Sequence, residues 1–123
     1  MTLTDQLVLY QLVGLHVFSV LPKEVFMPAY LVAQVEVKDS EAFAPYPELT
    51  LPIVAKHGGR PLAVSFDPHV EEGAWPGNTV ILEFSDMSAL RAFLDDPAYA
   101  EPKALRRRTT NSNIILLEGP PQI

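Results

Sequence analysis

The order in which hydrophobic patterns follow one another between Met27 and Gly119 is the strongest constraint on what this chain can fold into. Residues 29–37 (AYLVAQVEV) alternate, with Leu31, Ala33, Val35 and Val37 on one side and Tyr30, Val32, Gln34 and Glu36 on the other. That period of two is the signature of a strand. Asp39 or Ser40 then caps a helical stretch to about Lys56, which Pro45, Pro47 and Pro52 divide into two pieces. His57 falls in its last turn, and Gly58-Gly59 supply a left-handed cap. A second strand is expected from about Arg60 to Phe66, with Leu62, Val64 and Phe66 sharing a face. Turn-forming residues fill 67–77 (DPHVEEGAWPG) around one large aromatic, Trp75. The third strand, 78–84 (NTVILEF), sets Val80, Leu82 and Phe84 against Thr79, Ile81 and Glu83. Ser85 or Asp86 caps a helix striped by Met87, Leu90, Phe93 and Leu94. Pro97 opens a further helical segment through Tyr99 to about Arg108. The fourth strand is expected over 113–118 (NIILLE), stopped by Gly119-Pro120-Pro121.

Strand, helix, strand, strand, helix, strand amounts to two short βαβ-like halves joined by a hairpin. The expected fold is therefore α+β: a ferredoxin-like sandwich whose four-stranded antiparallel sheet carries helices on one face. This domain spans 27–119, with 120–123 a tail. A chain of 123 residues with 48% apolar and 20% charged residues is large enough for one domain with its own core. A net charge of −6 argues against a nucleic-acid partner, since phosphate binding needs a concentrated basic surface. There is no cysteine, which excludes disulfides, thiolate catalysis and cysteine-metal sites and is compatible with a reducing cytoplasm.

Residues 1–26 form an apolar extension. From Leu7 to Leu21 the polar interruptions are Gln11, Gly14, His16 and Ser19, and the stretch is shorter than the roughly 20 residues that span a bilayer. It also lacks the basic start and small-residue cleavage site of a secretory signal. No membrane partner is expected. A helix packed on the body or on a partner chain suits this segment, with a strand, or a true start at Met27-Pro28, as the alternatives.

The segments AKHGGRPLA (55–63), EEGAWP (71–76), LEFSDMSALRAFLDDPAY (82–99) and ALRRRTTNSNIILLEG (104–119) together resemble the bacterial domain-of-unknown-function family numbered 1330. The resemblance begins at MPAYLVAQVEV and runs to Gly119. It implies membership of the dimeric α+β barrel superfamily, in which the sheets of two ferredoxin-like protomers pair across a twofold axis. The expected partner is thus a second copy of the chain. Other branches of the superfamily include cofactor-free monooxygenases, lactone isomerases and chlorite- or haem-handling enzymes, whereas this family has no established reaction. Family members often carry an arginine and two glycines near the end of strand two. This chain has Val64, Ser65 and Phe66 there, so an anion-binding role for that strand is in doubt.

No dinucleotide fingerprint, phosphate loop, H-E-x-x-H or nucleophile elbow is present. No cofactor is expected. Asp67, His69 and Glu71 alternate and would suit a hard metal, but Pro68 and Gly73 favour a plain polar loop, and no metal site is assigned. His57 at a helix C-terminus reads as a favourable dipole contact or as a general base at a pocket mouth. Tyr46 is the second candidate for proton transfer. Arg106, Arg107 and Arg108 fan out by 100° each, so one of them can turn inward to hold a carboxylate or pair with an acid such as Glu83 or Glu118. Tyr46, Trp75 and Tyr99 flank loops and helix ends, where a polar tip can orient a ligand. The second sheet face is expected to carry Gln34, Glu36, Glu83 and Glu118 beside Val32, Thr79 and Ile81. That predicts a partly polar dimer interface, with arginines partnering the acids.

Three functional readings follow. The first is a small-molecule-binding protein whose apolar pocket between sheet and helices is closed by Trp75 and Tyr99, with Arg106 at the ligand. The second is a cofactor-independent enzyme, monooxygenase- or isomerase-like, acting on a small aromatic or lactone-like substrate with His57 or Tyr46 moving a proton and Arg106 anchoring an anion. The third is a dimerisation module without a ligand.

Overall fold

A computed structural model describes residues 27–120; the extension over 1–26 and the end of the tail lie outside the described residues. Strand β1 (Ala29–Val37) is followed by a short helix α1 (Ser40–Phe43), helix α2 (Tyr46–Lys56) and strand β2 (Arg60–Ser65). Strand β3 (Asn78–Phe84), helix α3 (Met87–Asp95), a 3-10 turn (Pro97–Tyr99), helix α4 (Ala100–Thr109) and strand β4 (Thr110–Glu118) complete the fold. The sheet order is β2-β3-β1-β4, every neighbouring pair antiparallel, which is the ferredoxin-like arrangement.

Local chemistry sets the element ends. The Asp39 side chain accepts from the Ala42 amide to cap α1, and Asp86 accepts from Ala89 to cap α3. The prolines act as expected in part: α1 stops before Pro45 and Pro47 occupies the first turn of α2, whereas Pro52 sits inside α2 without ending it. Gly58, at φ +76°, closes that helix. Gly77 has φ +85°, and a Cβ there would meet the Val35 carbonyl oxygen and lie 2.7 Å from the Glu36 nitrogen. Only glycine lets the 67–77 loop pass so near the backbone of β1 on its way into β3.

Two strand boundaries differ from the sequence reading. Strand β4 begins at Thr110, three residues before the expected start. Its polar opening TNSN looks like a loop in sequence, but Asn113 donates to Gln34 at 2.9 Å and Asn111 to Glu36 at 3.2 Å across the β1 pairing. In β2 a bulge between Pro61 and Ala63 breaks the alternation, so Pro61, opposite Leu82, lies on the same side as Val64, opposite Val80.

The register sorts the side chains into rows. Towards the helices lie Pro61, Leu82, Leu31 and Leu116, then Val64, Val80, Ala33 and Ile114. The core gathers these with Val54, Leu90, Phe93 and Tyr99 from the helical layer. On the open face one row is apolar (Ala63, Ile81, Val32, Ile115) and the next is polar (Ser65, Thr79, Gln34, Asn113). Glu83 lies on the open face and takes two hydrogen bonds from Arg60, as expected of an acid there. Glu118 does not join it: it pairs with the buried Ala29 and so alternates onto the helix side. The partners of Gln34 and Glu36 are asparagines rather than arginines. Among the described residues, no helix is long and apolar enough to cross a membrane.

Candidate functional site

The helices pack on β1, β3 and β4, leaving the edge strand β2 overhanging. Between that overhang and α2 lies a cavity of about 300 Å³. Its floor is the row through Ala33, whose single methyl group at the middle of the sheet leaves room that a larger residue would occupy. Leu31, Val35, Val80 and Leu82 surround it, Val54 and Phe93 form the back, and Leu51, Val64 and Phe66 the rim. Phe66 is 79% exposed, consistent with a position at the mouth.

A file of aromatic rings leads through the interior. Phe43 stacks on Tyr46 at 5.1 Å, Tyr46 meets Tyr99 edge-on at 6.5 Å, and Phe93 joins Tyr99 to Phe84. The Tyr46 and Tyr99 hydroxyls share a hydrogen bond of 2.7 Å at the cavity wall. Burial, and then the Tyr99 hydroxyl, raise the Tyr46 phenol well above its ordinary value. That shift keeps the Tyr46 phenol in its protonated, donor form.

Arg106 is the inward member of the arginine triplet, 7% exposed, while Arg107 and Arg108 face solvent. It lines both the cavity and an open polar hollow bordered by Arg107, Thr110 and Asn111. Among the described residues no carboxylate lies within salt-bridge distance of it, and its Nε has no hydrogen-bond partner. Thr50, one turn beyond Tyr46 on α2, likewise keeps its Oγ1 buried and unpartnered.

Two sequence candidates fall elsewhere. Trp75 does not close the cavity. Its indole Nε1 donates to Thr79 Oγ1 at 2.7 Å, and Thr79 belongs to the open face of the sheet. Nor does His57 line the cavity. Its Nε2 lies 2.8 Å from Asp96 Oδ2, which also accepts from Lys56 Nζ at 2.9 Å, while Oδ1 accepts from the Ala98 amide. This cluster ties the end of α2 to the turn before Pro97. Of the loop trio, His69 and Glu71 stand 3.6 Å apart in full exposure, and among the described residues no three metal-ligating side chains converge.

The His57 hydrogen bond, with Lys56 and Ala98 behind it, holds the Asp96 carboxyl well below the usual carboxylate range. A depressed folded value stabilises the fold above the unfolded value near ~4, and that stabilisation is lost as pH falls below it. Asp96→Asn is thus expected to lower the urea midpoint at pH 7, with the gap to wild type narrowing as pH is taken to about 2. A gap independent of pH would remove the ion pair as its cause.

With this geometry in hand, the chain can be set beside known proteins. The family model "Domain of unknown function (DUF1330)" matches residues 28–120. The chain belongs to this family. No curated protein matches this DUF1330 member. Among solved structures it resembles RPA0582 from Rhodopseudomonas palustris, a protein of unknown function, at 19% identity and TM-score 0.63, covering 83% of this chain and 90% of that one. It also resembles SnoaB, a cofactor-independent oxygenase from Streptomyces nogalater, at 15% identity and TM-score 0.54, covering 75% and 91%. A dimeric ferredoxin-like protein of unknown function from Bacteroides fragilis matches at 12% identity and TM-score 0.50, covering 75% and 95%. At such identities these three share a fold with the DUF1330 member, and the fold fixes no reaction.

The signals that sequence reasoning missed are now visible. Thr50 gave none, because a threonine in a helix reads as an ordinary packing residue. Ala33 was placed on the right face, but nothing in the alternation marks it as the floor of a cavity.

Proposed function

We propose that this protein binds a small, largely apolar molecule in the cavity between α2 and the β2 side of the sheet. The observation that carries the reading is the cavity itself. Protein interiors pack as densely as organic crystals and tolerate few voids larger than a water molecule. An apolar space of about 300 Å³ reaching the mouth at Phe66 sits at the small end of the range for ligand pockets. Binding is favoured over catalysis because the one candidate general base, His57, is engaged with Asp96 outside the cavity, while the Tyr46 phenol at the cavity wall is held in its donor form.

We place the working protein in the reducing cytoplasm, with which its lack of cysteine is compatible, and as a homodimer joined through the open sheet face. Ile115 is 55% and Leu117 48% exposed there, beside Val32 and Ile81, and a second copy would cover that row. The hydrogen-bonded pairs Gln34–Asn113 and Glu36–Asn111 make the rest of the face polar, the mixture usual in non-obligate interfaces.

Ala33→Phe tests the cavity, since the new ring fills the space above the floor. Saturable binding of 1-aminonaphthalene, followed by its fluorescence, is expected for wild type and to weaken at least ~10-fold in the variant. Equal binding by a folded Ala33→Phe protein would place the ligand elsewhere.

A further inference from the structure

The cavity wall holds one charged side chain among the described residues, and it has no counterion. Arg106 enters from α4, and Tyr46 and Thr50 come from successive turns of α2. A guanidinium stays ionised at any ordinary pH, so burial cannot neutralise it. Burying such a charge unpaired is costly, and leaving a donor without an acceptor adds to the cost. Here both occur at one residue, whose Nε has lost water without gaining a partner. The last turn of α4 gives partial compensation through its carbonyl ends, but Thr109 and Thr110 already donate to the Leu105 and Arg106 carbonyls.

Resting on the reading of the cavity as a binding site, we propose that its ligand is a small aromatic carboxylic acid. The flat body lies against Phe43, Tyr46 and Tyr99, and the carboxylate takes hydrogen bonds from Arg106 and Thr50. A carboxylate offers the two acceptor oxygens that match the guanidinium fork, and it supplies the missing charge as well. A neutral carbonyl would satisfy a donor but leave the charge uncompensated. The protein's net charge of −6 gives no general attraction for anions, so a preference for the acid has to arise locally, at Arg106.

Titration calorimetry with two probes of equal shape tests this: 2-naphthoate and its neutral amide, 2-naphthamide. Wild type is expected to bind the acid about 10- to 100-fold more tightly, the difference typical of a charge-assisted over a neutral hydrogen bond. Arg106→Gln should reduce that preference to within about 2-fold, and Arg106→Lys should keep part of it because the charge remains. Should the glutamine variant fail to fold, the wild-type ratio and the lysine and Thr50→Val variants still decide, Thr50→Val weakening the acid more than the amide. Equal affinity for both probes in wild type overturns the acid class and leaves the cavity reading standing. Absence of binding by either probe overturns both. A full preference in Arg106→Gln, or acid binding unchanged in Ala33→Phe, removes Arg106 or the cavity from the site.

Discussion

Gly77→Ala is expected to lower the melting temperature by roughly 10 °C or more. Two costs combine. A φ of +85° is left-handed backbone, which costs an alanine about 1–2 kcal/mol. The added Cβ also presses on the Val35 carbonyl and the Glu36 amide, both backbone atoms of the central strand that cannot swing aside as a side-chain tip can. Overpacking of that kind costs typically ~1–3 kcal/mol, and each kcal/mol moves the midpoint of a domain this size by roughly 4–8 °C. Gly73→Ala is the matched control. It carries the same strain at φ +81° but has nothing within 4 Å of its Cβ, so it should lose only the backbone part. Circular-dichroism melts of the two variants separate the terms; equal losses would show that the β1 contact is without consequence.

Ile115→Asp is expected to turn the proposed dimer into a monomer, with the dissociation constant rising at least ~100-fold. In the protomer this side chain is 55% exposed, so the carboxylate costs little while the chain is alone. Across a sheet-to-sheet interface it would be buried beside Val32 and Ile81 of its own sheet, and every ~1.4 kcal/mol of that penalty is a factor of ten. Leu49→Asp serves as control, since Leu49 is similarly exposed but lies on α2, off the open face. Sedimentation velocity of the two variants reads the outcome. A dimer that survives Ile115→Asp at micromolar concentration would mean that the protomers meet through another surface.

The alternation of 29–37 and 78–84 was sufficient to place β1 and β3 and both faces of this central pair, because a period of two over seven or more residues has few other solutions. The fold was legible from the order of the patterns, and the family from the resemblance of segments 55–63, 71–76, 82–99 and 104–119 taken together. What escaped depended on geometry beyond the local pattern. The register shift between Pro61 and Ala63 breaks the alternation of β2 without altering composition. Asn111 and Asn113 join a strand because the Glu36 carboxylate and the Gln34 amide accept from them on β1, which no window over 110–113 contains. Three consecutive arginines look alike in sequence, and only the angle at which α4 meets the sheet decides that Arg106 is the buried one. Trp75 was misplaced by the same limit: its loop carries no periodicity, and the Thr79 hydroxyl determines the side of the sheet to which it folds.

The hydrogen bond from Trp75 to Thr79 has an optical consequence. The chain contains one tryptophan, so its emission is a single-site signal originating on the open face, with the sheet between it and the cavity. Association of two protomers should shift that emission to shorter wavelength as the indole leaves water, in a way that depends on protein concentration. Filling the cavity should instead perturb the near-ultraviolet absorption of the Tyr46–Tyr99 pair. The two faces of one sheet thus carry separate spectroscopic labels, and a titration can follow assembly and occupancy in the same cuvette without an added dye.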